Sequence, residues 1–223
     1  MDASEALLDL NGRIVSCRRC PRLVEWREQV AHEKRASFRD EEYWGRPCVG
    51  FGDPDASLLI IGLAPAAHGA NRTGRMFTGD RSVDFLYASL YRTGWANQPR
   101  SDARDDGLEL RGAFITAAVR CAPPANKPTV QERDTCKTFL DEELEILSKV
   151  KIFVALGGFG YAVAAGLLGI RPRPKFGHGV EVPLADGRTV ICSFHPSQQN
   201  TFTGRLTEPM LDAVFNRARE LSV

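Results

Sequence analysis

Four short apolar segments, each followed by a turn and then by a helical pattern, limit the folds open to this chain. The segments are residues 57–62, 113–119, 151–156 and 189–193. Their length and apolarity are typical of buried strands rather than helices. The helical patterns that follow them begin near Ser82, Thr129, Tyr161 and Glu208. Strands that alternate with helices predict an α/β fold, with three layers, α/β/α, around a central four-stranded, mostly parallel sheet.

The composition is that of one globular domain. The chain has 223 residues, of which 43% are hydrophobic and 26% charged, and this excludes a disordered or collagen-like protein. Its 29 Lys+Arg and 28 Asp+Glu give a net charge of +1, so overall charge does not indicate nucleic-acid binding. The sequence contains neither an apolar run near the roughly 18 residues of a membrane helix nor a signal-peptide pattern. We expect one domain over residues 1–223, cytoplasmic, monomeric and not bound to a membrane.

The order of elements also predicts where a ligand binds. Loops at the carboxyl ends of parallel strands meet at one edge of the sheet, which is the usual ligand edge. Here the rule selects residues 63–80, 120–128, 157–160 and 194–204. A charged insertion, residues 99–111, lies outside this set, and we expect it to be a surface loop.

Four of the six cysteines have the spacing of metal ligands. Structural disulfides are rare in cytoplasmic proteins, which leaves metal binding, redox chemistry or burial. Cys17 and Cys20 are separated by two residues and have arginine neighbours, and Cys121 and Cys136 form a second pair. Four thiolates suit either a tetrahedral zinc or an iron–sulfur cubane. The spacing leaves both open, together with the alternative of four unlinked thiols.

The segment 62–80, GLAPAAHGANRTGRMFTGD, is too rich in small residues to pack a core. Small residues let main-chain N–H groups approach a planar or anionic ligand closely. Phe77 is placed to stack on a base, and Arg72 and Arg75 to meet phosphate. The structural alternatives are a packing role for Phe77 and a solvated face for the arginines. Asp80 has the alternative role of a helix N-cap.

A second polar segment follows the last predicted strand. His195, fixed by the neighbouring Pro196, is expected at the ligand edge opposite the segment 62–80. A single histidine is more often structural, and this location is what favours a functional role. The residues after it are polar and are expected to reach DNA: Ser197, Gln198, Gln199 and Asn200.

Together these segments resemble the uracil-DNA glycosylase superfamily, and most closely its family five, the type-B enzymes, over nearly the whole chain. Residues 62–66 look like the family's first motif, 74–80 like its base-pocket segment and 195–200 like its second motif. Four cysteines fall where related families place the ligands of a structural 4Fe-4S cluster: Cys17, Cys20, Cys121 and Cys136. The resemblance therefore implies a cluster rather than zinc, and a cluster that ties down the N-terminal segment 1–50.

The resemblance implies a monofunctional DNA-repair glycosylase. Such an enzyme extrudes a deaminated base from DNA and hydrolyses its N-glycosidic bond, which leaves an abasic site. The implied partner is double-stranded DNA containing uracil or another deaminated base, with single-stranded DNA as a second form of substrate. His195 would donate a hydrogen bond to the pyrimidine O2, and Asp80 would stabilise the oxocarbenium-like sugar and orient water. The residues expected around the base are Gly62, Leu63, Ala64, Phe77, Ala117 and Asn126, although Asn126 is equally suited to a turn.

Two positions depart from sister families. Leu63 and Ala64 stand where several of those families have an acidic or amide residue, so the activation of water falls to Asp80. Ala117 stands where uracil-restricted relatives have an asparagine that reads the base edge. We therefore expect activity on hypoxanthine, xanthine or etheno-cytosine as well as on uracil. The residue that fills the gap left by the extruded base is expected within 198–202.

Two other functions are compatible with the motifs. One is a non-catalytic iron–sulfur protein that binds DNA or DNA damage, and the other is a redox iron–sulfur carrier. Excision of uracil from an oligonucleotide separates the enzyme from both.

Overall fold

The computed structural model describes residues 2–79 and 81–222. The helices in this part of the chain are α1 (Ala3–Val15), α2 (Pro21–Glu33), α3 (Ala70–Thr73), α4 (Arg81–Arg92), α5 (Val130–Ile146), α6 (Gly157–Leu167), α7 (Gln198–Phe202) and α8 (Glu208–Leu221). The strands are β1 (Phe51–Gly52), β2 (Leu58–Gly62), β3 (Ala113–Ala117), β4 (Ile152–Leu156), β5 (Glu181–Pro183) and β6 (Thr189–Ser193). None of the described helices is long and apolar enough to cross a membrane.

The strands form a single six-stranded sheet in the order β1-β3-β2-β4-β6-β5. The four inner strands are parallel and fully buried, and they are the four strands that the sequence predicts. The α/β/α class is confirmed, but the sheet has six strands rather than the predicted four. Strands β1 and β5 pair antiparallel at its two edges. They are two and three residues long, too short to show a periodicity in the sequence.

Helices cover both faces of the sheet. Side chains alternate along β2, so that Leu58 and Ile60 point to one face and Leu59 and Ile61 to the other. Helices α4 and α8 pack on the first face, and α6, with residues from α1 and from the end of α5, packs on the second. The inner strands are therefore apolar on both faces, as expected for a parallel sheet between two helical layers.

Helix caps explain where several helices begin. The Thr129 hydroxyl accepts the Glu132 N–H at 3.1 Å, and the Glu132 carboxylate accepts the Thr129 N–H at 2.7 Å, so α5 begins where the sequence predicts. It ends at Ile146, earlier than the end near residue 150 expected from the sequence. Helices α1 and α2 were not predicted, although Asp2 and Glu5 form the same kind of capping box before α1.

Helix α6 begins directly after β4, four residues before the predicted start at Tyr161. Gly157 takes φ +76° at this junction. Gly160 lets the helix approach the sheet closely, because a Cβ atom there would lie 2.8 Å from the carbonyl oxygen of Ile61. The sequence suggests a turn at these glycines, whereas the structure uses them for a tight strand-to-helix junction.

Candidate active site

A cleft of about 340 Å³ lies at the carboxyl-terminal edge of the parallel strands. This volume is within the usual range for small-ligand sites, roughly 300–1,000 Å³. The cleft is lined by Leu63, Ala64, Pro65, Ala66, Ala70, Met76, Phe77, Asn126, His195 and Ser197. Six of these are residues that the sequence assigns to the base, the DNA or catalysis: Leu63, Ala64, Phe77, Asn126, His195 and Ser197. Three of the four segments predicted at this edge, 63–80, 120–128 and 194–204, contribute to the lining, whereas residues 157–160 do not.

Phe77 packs against the end of β2. Its backbone has φ +50°, and its ring lies so close to Gly62 that a Cβ atom on Gly62 would be 2.6 Å from the ring Cζ atom. The centroids of the Phe77 and His195 rings are 6.1 Å apart, with 31° between their planes. The aromatic ring and the imidazole expected to act on a base are thus neighbours, and Gly62 is the residue that admits the ring.

His195 is neutral at physiological pH. Burial lowers its pKa from 6.5 to about 4, because the surrounding protein disfavours the imidazolium. A neutral imidazole has one N–H group that donates a hydrogen bond and one nitrogen that accepts, and it carries no net charge. The Asn200 side chain donates to the main-chain carbonyl of His195 at 2.8 Å and so closes the turn that carries the histidine.

His178 supports the residue before His195 and was not identified from the sequence. The main-chain N–H of Phe194 donates to His178 Nδ1 at 3.2 Å, which leaves His178 Nε2 to donate to the Met210 carbonyl at 3.2 Å. The two rings, of His178 and Phe194, lie 5.2 Å apart. Burial also lowers the pKa of His178, in agreement with this neutral tautomer. No local motif signals a contact between residues so far apart in the chain.

Arg72 is mostly buried and its guanidinium is bonded to protein groups, although the residue also lines a second cleft described below. Its guanidinium pairs with the Glu41 carboxylate and donates to the carbonyls of His68 and Gly79, each at 3.0 Å. It also stacks over the Phe38 ring at 4.0 Å. These bonds use its N–H groups to tie together the two ends of the segment that carries Phe77.

Arg75 is buried even more completely, with 4% of its surface exposed. Its guanidinium donates to Asp106 and Ser101, each at 2.7 Å, and to Thr78 at 3.0 Å. Burial acts to raise the pKa of Asp106, but the bonds from Arg75 and from main-chain N–H groups outweigh it and hold that pKa at about 2. The Arg75 guanidinium is therefore bonded within the protein rather than free to meet phosphate. The insertion 99–111 is mostly a surface loop, as expected, because nine of its thirteen residues are exposed, and the side chains of Ser101 and Asp106 anchor it to Arg75.

Ala117 is not part of the cleft lining. It is 1% exposed and packs in the core beside Gly62, its partner in the β2–β3 register. Beyond it the two chains stay paired, since the Ala118 and Val119 N–H groups donate to the carbonyls of Gly62 and Leu63 at 3.1 Å. The expected base contact at Ala117 is therefore not present, and these two carbonyls each already accept one hydrogen bond.

Helix α7 carries the remaining residues expected to contact DNA. Gln198 and Gln199 are exposed, and Phe202, at the end of the helix, is 70% exposed. Asn200 instead turns its amide inward to His195. The predicted catalytic carboxylate, Asp80, lies outside the described residues.

A second, wider cleft of about 840 Å³ adjoins the first and shares Ala66 and Asn126 with it. Its lining includes Arg35 and His68. The Tyr43 hydroxyl accepts the Arg35 main-chain N–H at 3.3 Å and forms a hydrogen bond with His68 Nδ1 at 3.1 Å. Arg35 was not identified from the sequence, because it lies in no motif.

The four cysteines expected to bind a cluster line one pocket, here called the cysteine pocket: Cys17, Cys20, Cys121 and Cys136. Three N–H groups point to their sulfurs: Arg27 Nη1 to Cys121 at 2.9 Å, the Arg120 main chain to Cys136 at 3.3 Å, and Arg19 Nε to Cys17 at 3.4 Å. Within the described residues, no group of three His, Cys, Asp or Glu side chains is arranged to hold a single metal ion. Four thiols around one pocket are the donor set of a 4Fe-4S cubane, in which each thiolate binds its own iron.

Comparison with known proteins identifies the family. Residues 49–219 match the profile of the uracil DNA glycosylase superfamily. This chain belongs to that superfamily. It is 54% identical to the Type-5 uracil-DNA glycosylase of Mycobacterium tuberculosis, over 97% of this chain and 82% of that protein. It is 50% identical to the Type-5 uracil-DNA glycosylase of Thermus thermophilus, over 94% of this chain and 95% of that protein. The Type-5 uracil-DNA glycosylase of Mycobacterium leprae is 53% identical over 96% of this chain and 95% of that protein.

The resemblance read from three motifs is thus confirmed. Two of these motifs, residues 62–66 and 195–200, contribute to the cleft of this uracil-DNA glycosylase superfamily member, and so does Phe77 of the third. The cleft is therefore the candidate active site of this protein.

Proposed function

We propose that the chain is a DNA-repair glycosylase that removes uracil from DNA by hydrolysing the N-glycosidic bond, acting as a monomer on double-stranded and single-stranded DNA. The observation that carries the proposal is the cleft in which Phe77 and His195 lie 6.1 Å apart at the ligand edge. The near full-length similarity to Type-5 uracil-DNA glycosylases supports the same conclusion.

In this mechanism the uracil leaves the base stack, enters the cleft and stacks on the Phe77 ring. Negative charge grows on the pyrimidine O2 as the glycosidic bond breaks. The neutral His195 donates a hydrogen bond to that oxygen, and such a donor acts most strongly where charge develops. A carboxylate near the departing sugar is still needed, and we assign this role to Asp80, which follows Gly79 in the segment anchored by Arg72.

We also propose that the base range extends to hypoxanthine, xanthine or etheno-cytosine. The support is the small number of polar side chains that line the cleft. Among its described residues, Asn126, His195 and Ser197 carry polar side-chain groups, and the rest are apolar. A site with few groups committed to one base edge discriminates weakly between bases, because few buried partners are left unpaired by the wrong base.

We assign phosphate contacts to Arg35, Lys127 and Arg205 in place of Arg72 and Arg75. All three are exposed. Arg35 lines the adjoining cleft, Lys127 follows Asn126, and the Arg205 guanidinium lies 4.7 Å from the ring of Phe194, beside His195. The described ion pairs include none of them, so their charges are available to DNA.

We further propose that the cysteine pocket holds a structural 4Fe-4S cluster. The donor set supports it, since four thiols surround one pocket and three N–H groups point to their sulfurs. Such a cluster would cross-link the start of α2, which follows Cys20, to the loop after β3 at Cys121 and to α5 at Cys136. It would thereby tie residues 1–50 to the sheet.

The test is excision from oligonucleotides carrying uracil, hypoxanthine or xanthine opposite each base, in single-stranded and double-stranded DNA. We expect strand breaks after alkali with uracil, abolished by Asp80→Ala and strongly reduced by His195→Gln. His32→Gln, at an exposed histidine on α2, is the matched control and should match the unsubstituted protein. A gel shift on uracil DNA with no alkali-sensitive site would instead indicate a non-catalytic damage-binding protein.

A further inference from the structure

Two arginines are buried beside the cysteine pocket. Arg27 is 2% exposed and Arg120 is 1% exposed. A guanidinium removed from water is strongly unfavourable unless an anion accompanies it. Arg120 has such a partner, because its Nη2 lies 2.6 Å from the carboxylate of Glu143, which is itself fully buried.

Arg27 lacks an equivalent carboxylate. Its contact with Glu28 is 3.8 Å long, and Glu28 is 44% exposed and already pairs with Arg18. Its Nη2 donates to the neutral Cys17 carbonyl at 3.2 Å. Within the described part of the chain, therefore, a buried cation lacks a closely bonded counter-charge.

The guanidinium of Arg27 faces sulfur instead. Its Nη1 lies 2.9 Å from Cys121 Sγ, and its Nε is buried with no hydrogen-bond partner among the described residues. Arg120 also has two unpaired buried nitrogens, Nε and Nη1. A neutral thiol accepts a hydrogen bond only weakly, whereas a thiolate is an anion and a good acceptor.

We infer that Arg27 is the internal counter-charge of an anionic thiolate-ligated centre in the cysteine pocket, to which it donates an N–H···S hydrogen bond at Cys121. This inference rests on the proposed 4Fe-4S cluster. A cluster held by four thiolates gains negative charge on reduction, so a buried cation stabilises its reduced form more than its oxidised form. Arg27 therefore raises the reduction potential and slows oxidative loss of the cluster.

The test compares the intact protein, purified without oxygen, with Arg27→Gln. Iron and sulfide are counted per chain, the reduction potential is measured by titration with dithionite, and loss of visible absorbance is followed after ferricyanide. We expect Arg27→Gln to shift the potential to a more negative value and to bleach several-fold faster. Arg27→Lys, which keeps the charge, should recover most of the potential.

Arg18→Gln is the matched control. Arg18 is next to Cys17 but 63% exposed and paired with Glu28, so solvent screens its charge and its loss should change neither readout. If Arg27→Gln does not fold, Arg27→Met makes the same charge change with a side chain that tolerates burial.

The outcomes distinguish a failure of the proposed 4Fe-4S cluster from a failure of the role assigned to Arg27. A purified protein without iron and sulfide would refute the proposed cofactor, whatever the variants do. A protein that holds the cluster, with an Arg27→Gln or Arg27→Met potential and bleaching rate equal to those of the unsubstituted protein, would overturn the role of Arg27 and leave the cofactor intact.

Discussion

His195 makes the stability of the protein depend on pH. Its pKa is about 4 in the folded protein and 6.5 when unfolded, so between these values the unfolded chain binds more protons. The free energy of unfolding contributed by this group is complete above pH 6.5 and is lost as pH falls toward 4, by up to about 3 kcal/mol. Urea unfolding at a series of pH values should show this loss in the unsubstituted protein. His195→Gln should lack that component, and equal pH slopes would contradict the assigned burial.

Gly62 controls the cleft through the ring of Phe77. A Cβ atom at Gly62 would lie 2.6 Å from that ring, so Gly62→Ala must displace it. Displacement of a stacking wall by about 1 Å can cost on the order of 100-fold in kcat/KM for uracil excision. If the clash is the cause, Gly62→Ala should add little once Phe77→Ala is present. An equal loss in both backgrounds would show that Gly62 acts by another route.

Single residues also mark the limit of what the sequence could predict about the site. Phe77 and His195 were identified correctly as neighbours, because strand ends and loop composition place them. Arg72 and Arg75 were expected to be free for phosphate but are bonded to protein groups, because a basic residue in a polar loop has the same local pattern whether its partner is DNA or a carboxylate of the protein. The partner of Arg75 is Asp106, thirty-one positions away, and the fold of the insertion 99–111 brings it there.

Among the elements, the inner strands were predictable and the edges were not. Four buried strands leave continuous apolar runs, and loops at their carboxyl ends follow from the sheet's polarity. Strands β1 and β5 depend on pairing with strands already in place, so their short segments carry no independent signal. The two N-terminal helices were missed although Asp2 and Glu5 provide a capping box.

The contact between α6 and β2 depends on Gly160. A methyl group there would meet the Ile61 carbonyl oxygen at 2.8 Å, and neither backbone can move without disturbing the sheet. Gly160→Ala should therefore lower the free energy of unfolding by about 1–3 kcal/mol, despite the better helix propensity of alanine. Gly166→Ala, on the same helix with open space around it, should be neutral or stabilising. Chemical denaturation measures the free energy of unfolding of both variants. Equal values for Gly160→Ala and Gly166→Ala would contradict the close approach of α6 to β2 at Gly160.

For the molecule as a whole, a net charge of +1 hides a local distribution of charge. Many arginines are engaged internally: Arg27 and Arg120 near the cysteine pocket, and Arg72 and Arg75 behind the cleft. Composition counts these cations equally with exposed ones, although only exposed cations attract a polyanion. We therefore expect the affinity for DNA to come from a few exposed side chains around the cleft rather than from overall charge.

The salt dependence of DNA binding measures how many of those side chains act. Each phosphate neutralised releases counterions, so each contact contributes about 0.9 to the slope of log Kd against log salt for duplex DNA. Replacing Arg35, Lys127 or Arg205 by Gln should lower that slope by about one contact each and weaken binding to uracil-containing and normal duplexes alike. Lys149 is 65% exposed but pairs with Asp55 and precedes β4, at the opposite edge of the sheet, so Lys149→Gln should leave the slope unchanged. If all four variants lower the slope equally, the DNA follows a different surface, and the three contacts assigned around the cleft are wrong.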